Sequence, residues 1–514
     1  MTKIRFTIFI ILTFLVFCIH LLTIAEYPSA WFDEIEILEI GRFSVFNVKP
    51  EWSVNLLPAS NGALTPPSPY FHYLAGALLE ALYRTTGSFM AGRFVMLASL
   101  PLCALVLFAW LRGKGISDIV SFAVAMLLLV DPNATICAHW YRPDLWCLAM
   151  VLFGSLLIAK SRDCSHPALF LLSGGALGAT AVFFWITSVL LMPLMLAEFC
   201  INYNPIGSAK KASTALKPLG LVTIGGMLAT SILLLPLYRH IPDIVAQYLT
   251  KSEIASMMST QADPLSAAIV RLFDFVKIAC RSPFTWVAAI VGVFVSLRNA
   301  LHAVLFVATT VFILSTRVYH LRMVYLMPYV FFFTAISAER LLFSASKPIA
   351  VLSRLFVVGA LCFGLALSVA ALNFAAWPES NTLALFTEKL EKAVTGHKPK
   401  VCLLDFEHEC YYAGRSLGWR MFSTSRRTEI LEAPYANFLN NMDAVVVSTM
   451  LPLSDTEKQV IANHGFTKST IIEMPPAATG ELKSRLAAIF YAHGYPSCEV
   501  WRKPTRPSPP GRTD

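Results

Sequence analysis

The chain has 514 residues, of which 56% are hydrophobic and only 14% are charged, with a mean hydropathy of +0.61. This composition is too apolar for one soluble domain of that length and predicts a polytopic α-helical membrane protein. The formal net charge is +9, but the lysines and arginines are scattered among short loops, which argues against a nucleic-acid-binding protein.

The first apolar segment, Phe6–Ala25, follows the basic segment Met1–Arg5. Its length matches the ~20 residues that a helix needs to cross a ~30 Å hydrocarbon layer. A cleavable signal peptide is the alternative, because Thr23-Ile24-Ala25 resembles a cleavage site, but the run exceeds the usual apolar core of about 7–15 residues. We therefore interpret it as a membrane-spanning helix.

Further apolar runs follow along the chain, and together with the first they predict about eleven spans. The runs are Phe6–Ala25, Phe89–Leu111, Ile116–Ala134, Asp144–Ala159, Pro167–Phe184, Trp185–Ile201, Pro218–Leu237, Pro283–Leu297, Leu301–Thr316, Met323–Ala338 and Ile349–Phe374.

The loops alternate between the two sides of the predicted bundle, and a group of their basic residues falls on the side of the N-terminus. Positive charges favour the cytoplasmic side of a membrane. This places the N-terminus in the cytoplasm and the C-terminal tail outside. The short cytoplasmic loops and the lack of a K-D-E-L ending favour a bacterial inner membrane with a periplasmic tail. The residues on the N-terminal side are Arg112, Lys114, Lys160, Arg162, Lys210, Lys211, Lys217, Arg298, Arg340, Lys347 and Arg354.

Two apolar segments are not predicted to span. Pro69–Tyr83 has about 15 residues and carries His72 and Glu80, which is typical of a helix lying on the outer leaflet. Ile241–Lys277 mixes charges with apolar residues at helical spacing and predicts an outer loop with helices.

The composition predicts two domains, a membrane domain over 1–374, including a first periplasmic loop over 26–88, and a soluble α/β domain over 375–514. In the latter, Lys400–Asp405 and Asp443–Ser448 read as strands and Ser454–His464 as a helix with a Ser cap. The Pro- and Arg-rich segment Lys503–Asp514 is expected to be disordered.

The eleven cysteines show no C-x-x-C pair and no zinc-ligand spacing. Those in apolar runs are expected to be small core residues. Cys402, Cys410 and Cys498 lie in the polar tail, where an oxidising compartment would allow one disulfide, most plausibly between Cys402 and Cys410.

The first candidate site is a pair of carboxylates, Asp33 and Glu34, a few residues after the first span and flanked by Trp31 and Phe32. Aromatic residues hold a backbone at headgroup depth, and partial desolvation raises a carboxyl pKa towards a value suited to a general base. The alternative is the solvated first turn of a helix, where acidic residues are also favoured.

The second candidate site is the segment 139–144, which contains His139, Arg142 and Asp144 with two aromatic residues. Ionisable residues at membrane depth are costly and usually functional. The alternative is that Asp144 caps the helix that follows it and pairs with Arg142.

The third candidate site is the segment 317–325, with Tyr319, His320, Arg322 and Tyr325 on the same predicted face. Arginine binds phosphate oxygens bidentately and stays charged, which suits a lipid-linked phosphate. The alternative is headgroup anchoring by snorkelling side chains. Arg93, near the start of the second span, either joins this anion site or anchors its own helix.

These motifs together resemble the GT-C superfamily of polyprenyl-phosphate-sugar glycosyltransferases, in the branch of protein O-mannosyltransferases and the aminoarabinose transferase acting on lipid A. The resemblance covers residues 1–373 and rests on the Asp33-Glu34 pair, the P-P-S-P-Y-F-H-Y segment Pro66–Tyr73, the R-P-D element and the late Y-H-x-R motif. One departure is the lack of a lysine beside the Pro-rich helix, where Thr65 and His72 stand instead.

The resemblance implies an inverting transfer of a sugar from a polyprenyl-phosphate donor to a hydroxyl of an envelope glycan, lipid A or protein. Asp33 is then the general base, and Glu34 completes the acidic pair. Asp144 orients the sugar, the acceptor or Arg142. The donor phosphate is expected to be bound by a group of basic and aromatic side chains: Arg142, His139, Tyr319, His320, Arg322, Arg93, His72 and Tyr325.

Alternatives remain at this stage. No cofactor is required by this chemistry, although a Mg or Mn ion between Asp33, Glu34 and Asp144 is one option, since carboxylates suit these ions. A transporter or flippase of lipid-linked sugars is the main rival function, and a sensor domain on a membrane anchor is another. The chain is expected to act as a monomer.

Overall fold

A computed structural model gives the fold of this chain. The residues that it describes divide into two compact units, the first from 1–25 and 69–374 and the second from 26–68 and 375–514. The described residues are 3–21, 24, 32–46, 57–58, 64–65, 72–140, 142–203, 209–242, 244–245, 264–295, 300–315, 318, 320–344, 346–370, 381–396, 398–404, 407–424, 427, 431–432, 435–476, 481 and 494–504.

Helices dominate these residues. In chain order they are α1 Lys3–Leu21, α2 Phe32–Ser44, α3 Leu74–Thr86, α4 Phe89–Gly113, α5 Asp118–Leu129, α6 Pro132–His139, α7 Asp144–Lys160, α8 Pro167–Phe184, α9 Met192–Tyr203, α10 Ala209–Leu234, α11 Pro264–Ala279, α12 Pro283–Val295, α13 Ala300–Ser315, α14 Met327–Leu342, α15 Lys347–Ala370, α16 Leu383–Ala393, α17 Glu407–Ser416 and α18 Asp455–Asn463. Short 3-10 helices cover Ile186–Leu191, Leu235–His240, His320–Leu326 and Tyr435–Asn441.

The first unit is a bundle of apolar helices. Within the described residues, six helices are long and apolar enough to cross a membrane, and the number rises to eight if each of two bent helix pairs is one span. The multi-pass architecture expected from the sequence is therefore present, and the count of eleven spans stays a prediction.

One predicted span, Ile116–Ala134, is broken into α5 and α6, which meet at an angle of 54°. Asp131 stops the first helix and caps the second, because its carboxylate accepts the backbone N–H groups of Asn133 and Ala134 at 2.9 and 3.1 Å. Pro132 then occupies the first helical position, where a missing N–H costs nothing. The Ser282 hydroxyl, between α11 and α12, donates to the same carboxylate at 2.5 Å.

Helix α3 is amphipathic and lies where the sequence predicted an interfacial helix. Its 13 residues extend about 20 Å at 1.5 Å per residue, which is short of the ~30 Å hydrocarbon layer. Its buried residues include Ala75, Leu79 and Glu80, and the Arg84 Nε–H donates to the Glu80 carboxylate at 2.8 Å. Its position at the membrane interface stays a prediction.

The second unit contains a five-stranded sheet formed by β3 Lys400–Leu404, β4 Arg420–Thr424, β5 Ala444–Ser448, β6 Thr467–Ile472 and β7 Cys498–Arg502, after a small pair of β1 Leu57–Pro58 and β2 Leu64–Thr65. The strand order is β4-β3-β5-β7-β6, with β4, β3 and β5 parallel and the other two pairings antiparallel. Both strands that the sequence indicated are in this sheet.

The expected helix after Ser454 is α18, and Ser454 and Glu457 close a reciprocal capping box at its start. The segment 26–68 groups with this unit because α2 packs against α17. Most of Lys503–Asp514, expected to be disordered, lies outside the described residues.

The expected disulfide between Cys402 and Cys410 is wrong, because both residues are thiols in the structure. Cys402 points from β3 into an apolar cluster that includes Leu439 and Ile461. Cys410 is buried on α17, which packs against α16. The two thiols thus lie on different elements, Cys402 on β3 and Cys410 on α17.

Candidate active site

Arg142, Asp144 and Tyr325 form one buried cluster in the first unit, which joins the start of α7 to the 3-10 helix His320–Leu326. Asp144 accepts the Arg142 Nε–H at 2.8 Å and the Nη2–H at 3.2 Å, a bidentate pair. The Tyr325 hydroxyl donates to the same carboxylate at 2.5 Å. All three side chains are at most 1% exposed. The ion pair between Arg142 and Asp144, which was the alternative interpretation of this segment, is therefore present, and the Tyr325 hydroxyl binds the same carboxylate.

An indole ring completes this cluster. The Arg142 guanidinium lies 4.9 Å from the centre of the Trp185 ring, a distance at which a cation is attracted to the ring face. The His72 ring meets the same indole edge-on at 5.0 Å. Burial lowers the pKa of His72 to about 3, so this imidazole is neutral at neutral pH and contributes no positive charge.

The 3-10 helix His320–Leu326 brings Arg322 into this part of the bundle. The helix packs against α6 and α7, and Arg322 is only 8% exposed. A second buried guanidinium therefore lies on an element that touches the helix of Asp144. Tyr319 and the side chain of His320 lie outside the described residues.

Arg93 and His139 make other contacts. Arg93 donates from Nη1 to the Ile24 carbonyl at 3.1 Å, which joins the start of α4 to the end of the first helix. The His139 Nε2 lies 3.2 Å from the His20 Nδ1, and the two rings meet edge-on. These contacts lie at the start of α4 and at the ends of α1 and α6.

The cluster lies at the opposite end of the bundle from a second group of charges. Helix α7 starts at Asp144 and has 17 residues, which makes it about 25 Å long. Just after its last residue, the Ser161 hydroxyl is 2.6 Å from the hydroxyl of Tyr203, the last residue of α9. On α9, Glu198 binds Lys114, at the end of α4, and His302 at 3.2 Å. Acid–base pairs therefore mark both ends of the helices.

Asp33 and Glu34 belong to the second unit, in the first turn of α2. Glu34 is fully buried, which differs from the solvated helix start that the sequence left open. The side chain of Asp33 and the residue Trp31 lie outside the described residues.

Among the side chains that the structure describes, no group of three His, Cys, Asp or Glu residues is placed to hold a metal ion. The side chain of Asp33, one of the three carboxylates considered for Mg or Mn, lies outside the described residues.

Sequence reasoning missed two members of these contacts. Trp185 begins a predicted span, and an aromatic residue there is ordinarily an interface anchor. His20 lies inside the first apolar run, and an intramembrane histidine was the available signal for its pairing with His139.

The apolar helices of the first unit, six to eight of which are long enough to cross a membrane, define a multi-pass membrane protein, and the fold of the chain is similar to those of two solved membrane transferases. A crystal structure of ArnT from Cupriavidus metallidurans bound to undecaprenyl phosphate is similar with a TM-score of 0.63 and 12% identity, over 99% of this chain and 100% of that one. Its apo state gives a TM-score of 0.55 at 12% identity over 97% of both chains.

The oligosaccharyltransferase of Archaeoglobus fulgidus, in complex with Zn and sulfate, gives a TM-score of 0.53 at 12% identity, over 84% of this chain and 68% of that one. Neither a protein-family profile nor a curated protein sequence matches the chain. The likeness is therefore one of fold, and it agrees with the superfamily that the sequence motifs suggested.

Proposed function

We propose that this chain is a membrane glycosyltransferase that moves a sugar from a polyprenyl-phosphate donor to a hydroxyl acceptor, with inversion at the anomeric carbon. The fold supports the proposal, since the similar ArnT structure holds undecaprenyl phosphate. The acceptor is a hydroxyl of an envelope glycan, lipid A or a protein.

The observation that carries the proposal is the fixed guanidinium of Arg142. Asp144 and Tyr325 hold the cluster from one side, and the Trp185 ring lies against the cation. A positive charge that is already oriented stabilises the developing negative charge of a leaving phosphate without reorganisation. Arginine is well suited to this because its guanidinium stays charged and has donors beyond the Nε–H and the Nη2–H that bind Asp144. Arg322 supplies a second buried positive charge nearby in the fold.

The reaction needs a base more than an acid, because a polyprenyl phosphate is already a good leaving group. The acceptor oxygen bonds to the anomeric carbon while the bond from that carbon to the phosphate oxygen breaks, and its electron pair stays on the phosphate. The acceptor proton passes to a carboxylate. We assign this role to Asp33, with Glu34 as its neighbour, from the sequence motif.

The proposed site faces the periplasm. The loops rich in Lys and Arg, such as those at Arg112, Lys114 and Lys160, follow the ends of α4 and α7. Positively charged loops favour the cytoplasm, and Asp144 begins the helix that ends at Lys160. This orientation agrees with a multi-pass protein of a bacterial inner membrane whose C-terminal unit is periplasmic.

A turnover assay in detergent tests the proposal. The purified protein is given a polyprenyl-phosphate sugar and a hydroxyl acceptor, and both the sugar transferred and the polyprenyl phosphate released are measured. We expect equal amounts of the two products. A protein that moves donor across vesicle membranes but releases no polyprenyl phosphate would be a transporter.

Variants locate the activity. Arg142→Lys keeps the charge but loses the bidentate fork, and we expect turnover to fall about 100-fold. The control is Arg112→Lys, which changes an arginine at the C-terminal end of α4 that is paired with Asp118. Equal activity of the two variants would contradict the assignment of Arg142.

A further inference from the structure

The helix that carries the candidate base is bonded to the sheet domain within the second unit. Helix α2 has Asp33 in its first turn and Glu39 and Arg42 further along. Glu39 is 1% exposed and pairs with Arg42 one turn away. A buried carboxylate on this helix therefore depends on the few groups that surround it.

The partner from the sheet domain is Tyr411 on α17. Its hydroxyl donates to the Glu39 Oε1 at 2.6 Å, although the two residues are 372 positions apart. Tyr411 is fully buried. Burial, followed by the nearby Glu39 charge, raises the pKa of Tyr411, so the hydroxyl keeps its proton across the physiological range and donates throughout.

Two further residues contact the tyrosine. The Arg415 guanidinium lies 5.7 Å from the centre of the Tyr411 ring, and its Nη1 donates to the hydroxyl oxygen at 3.4 Å. The Tyr412 ring packs edge-on at 5.8 Å. The other carboxylate oxygen of Glu39 is buried with no hydrogen-bond partner among the described residues. The Tyr411 bond and the Arg42 pair both reach the Oε1 atom of Glu39.

The sheet gives this bond a rigid base. Helix α17 follows β3, and β3 is paired in parallel with β4 on one side and β5 on the other. A central strand with neighbours on both sides is among the least mobile parts of a domain. A bond from α17, which packs against β3 and β4, therefore joins α2 to the sheet.

We infer that Tyr411 and Glu39 are positioning residues for the transfer reaction, holding α2 so that Asp33 is presented to the acceptor hydroxyl in one orientation. The inference rests on the proposed function. It gives the C-terminal domain a part in catalysis that is distinct from acceptor selection. Displacement of a reacting group by about 1 Å can cost 100-fold in rate, so loss of this bond has a kinetic consequence.

The test uses Tyr411→Phe in the full-length chain, which removes one oxygen and keeps the buried ring. We expect kcat to fall about 10- to 100-fold, with the KM for the polyprenyl-phosphate sugar unchanged within about twofold. The matched control is Tyr412→Phe, the same chemical change one residue further along α17, with kcat within about twofold of the parent. A purely structural role would lower the folded fraction and leave the kcat of the folded protein unchanged.

Variants of Glu39 test the same hydrogen bond from its acceptor side. Glu39→Gln keeps a carbonyl oxygen that accepts the Tyr411 hydroxyl, so it should retain most of kcat, whereas Glu39→Leu should match Tyr411→Phe. The double variant Tyr411→Phe, Glu39→Leu should be no slower than either single variant, since both remove one bond.

The outcomes separate the two proposals. A wild-type protein that transfers no sugar overturns the proposed function itself. A wild-type protein that transfers sugar, with Tyr411→Phe and Tyr412→Phe equally active, overturns only the positioning role. A rise in donor KM at constant kcat would also overturn it, because the bond would then act on donor binding.

Discussion

Tyr325 donates a 2.5 Å hydrogen bond to Asp144, a residue 181 positions earlier in the chain, and this bond connects the late 3-10 helix to the start of α7. The same carboxylate holds Arg142. A hydrogen bond to a charged group contributes about 1.5–3 kcal/mol. The position of the guanidinium is therefore set by two segments that meet only in the folded bundle.

We expect Tyr325→Phe to lower turnover about 10-fold, because the Asp144 carboxylate loses a donor and Arg142 gains freedom to move. Donor turnover in detergent measures this effect. The control is Tyr329→Phe, which removes another buried tyrosine hydroxyl one helical turn further along. If Tyr325→Phe turned over at the rate of this control, the bond to Asp144 would have no catalytic role.

Asp144→Asn should be more damaging to the fold. The change leaves the buried Arg142 guanidinium without its carboxylate, and breaking a buried ion pair from one side costs about 3–5 kcal/mol. A thermal unfolding scan in detergent should show a lower Tm.

The double variant Arg142→Gln, Asp144→Asn removes both charges together, so it should be more stable than Asp144→Asn alone while remaining inactive. A double variant that is no more stable than the single one would show that the two charges are not coupled in the fold.

Much of the first unit follows from its sequence, because apolar length alone predicts spans. Asp131 followed by Pro132 is a local signal for a helix restart, but the break between α5 and α6 was not predicted, since Ile116–Ala134 was interpreted as one span. The contacts of the site do not follow. Asp144 and Tyr325 were both candidates, but their bond depends on how distant helices pack. The contact between Trp185 and Arg142 has no sequence signal, because the two residues meet only in the tertiary structure. Glu39 and Tyr411 carry no local motif at all.

Helix packing in the first unit makes a second stability prediction. Helices α8 and α10 approach so closely that a Cβ atom added to Gly225 would lie 2.0 Å from the Leu172 carbonyl oxygen. Gly225→Ala must therefore push two backbones apart, and we expect a loss of about 1–3 kcal/mol or more.

The control on the same helix is Gly220→Ala, where an added Cβ meets no heavy atom within 4 Å. This variant should unfold at or slightly above the wild-type temperature, because alanine favours helix. Similar unfolding temperatures for the two variants would contradict the close contact of α8 and α10.

The second unit should show a pH dependence from Glu409. Burial raises the pKa of this carboxyl from 4.5 to about 7. The folded state then holds a proton between these values that the unfolded state has lost, so the stabilisation is complete below pH 4.5 and is lost as the pH rises through 7.

Hydrogen exchange of the β3 and β5 amides at pH 5 and pH 8, corrected for intrinsic exchange, should therefore show lower protection at pH 8. Glu409→Gln should reduce the difference between the opening free energies at pH 5 and pH 8 by about 1–3 kcal/mol. Glu388→Gln, which changes an exposed glutamate paired with Lys392, is the control and should leave it unchanged. A wild-type protein with equal protection at both pH values would contradict the assignment.

The most direct measurement of the central claim is the turnover of Asp33→Asn beside the wild-type protein, with binding of the polyprenyl-phosphate donor measured on the same samples. We predict sugar transfer by the wild type, a loss of about 100- to 10,000-fold in Asp33→Asn, and donor affinity retained within a few-fold. Wild-type turnover in Asp33→Asn would contradict Asp33 as the base, and a wild-type protein that binds the donor but never transfers its sugar would contradict the proposed reaction.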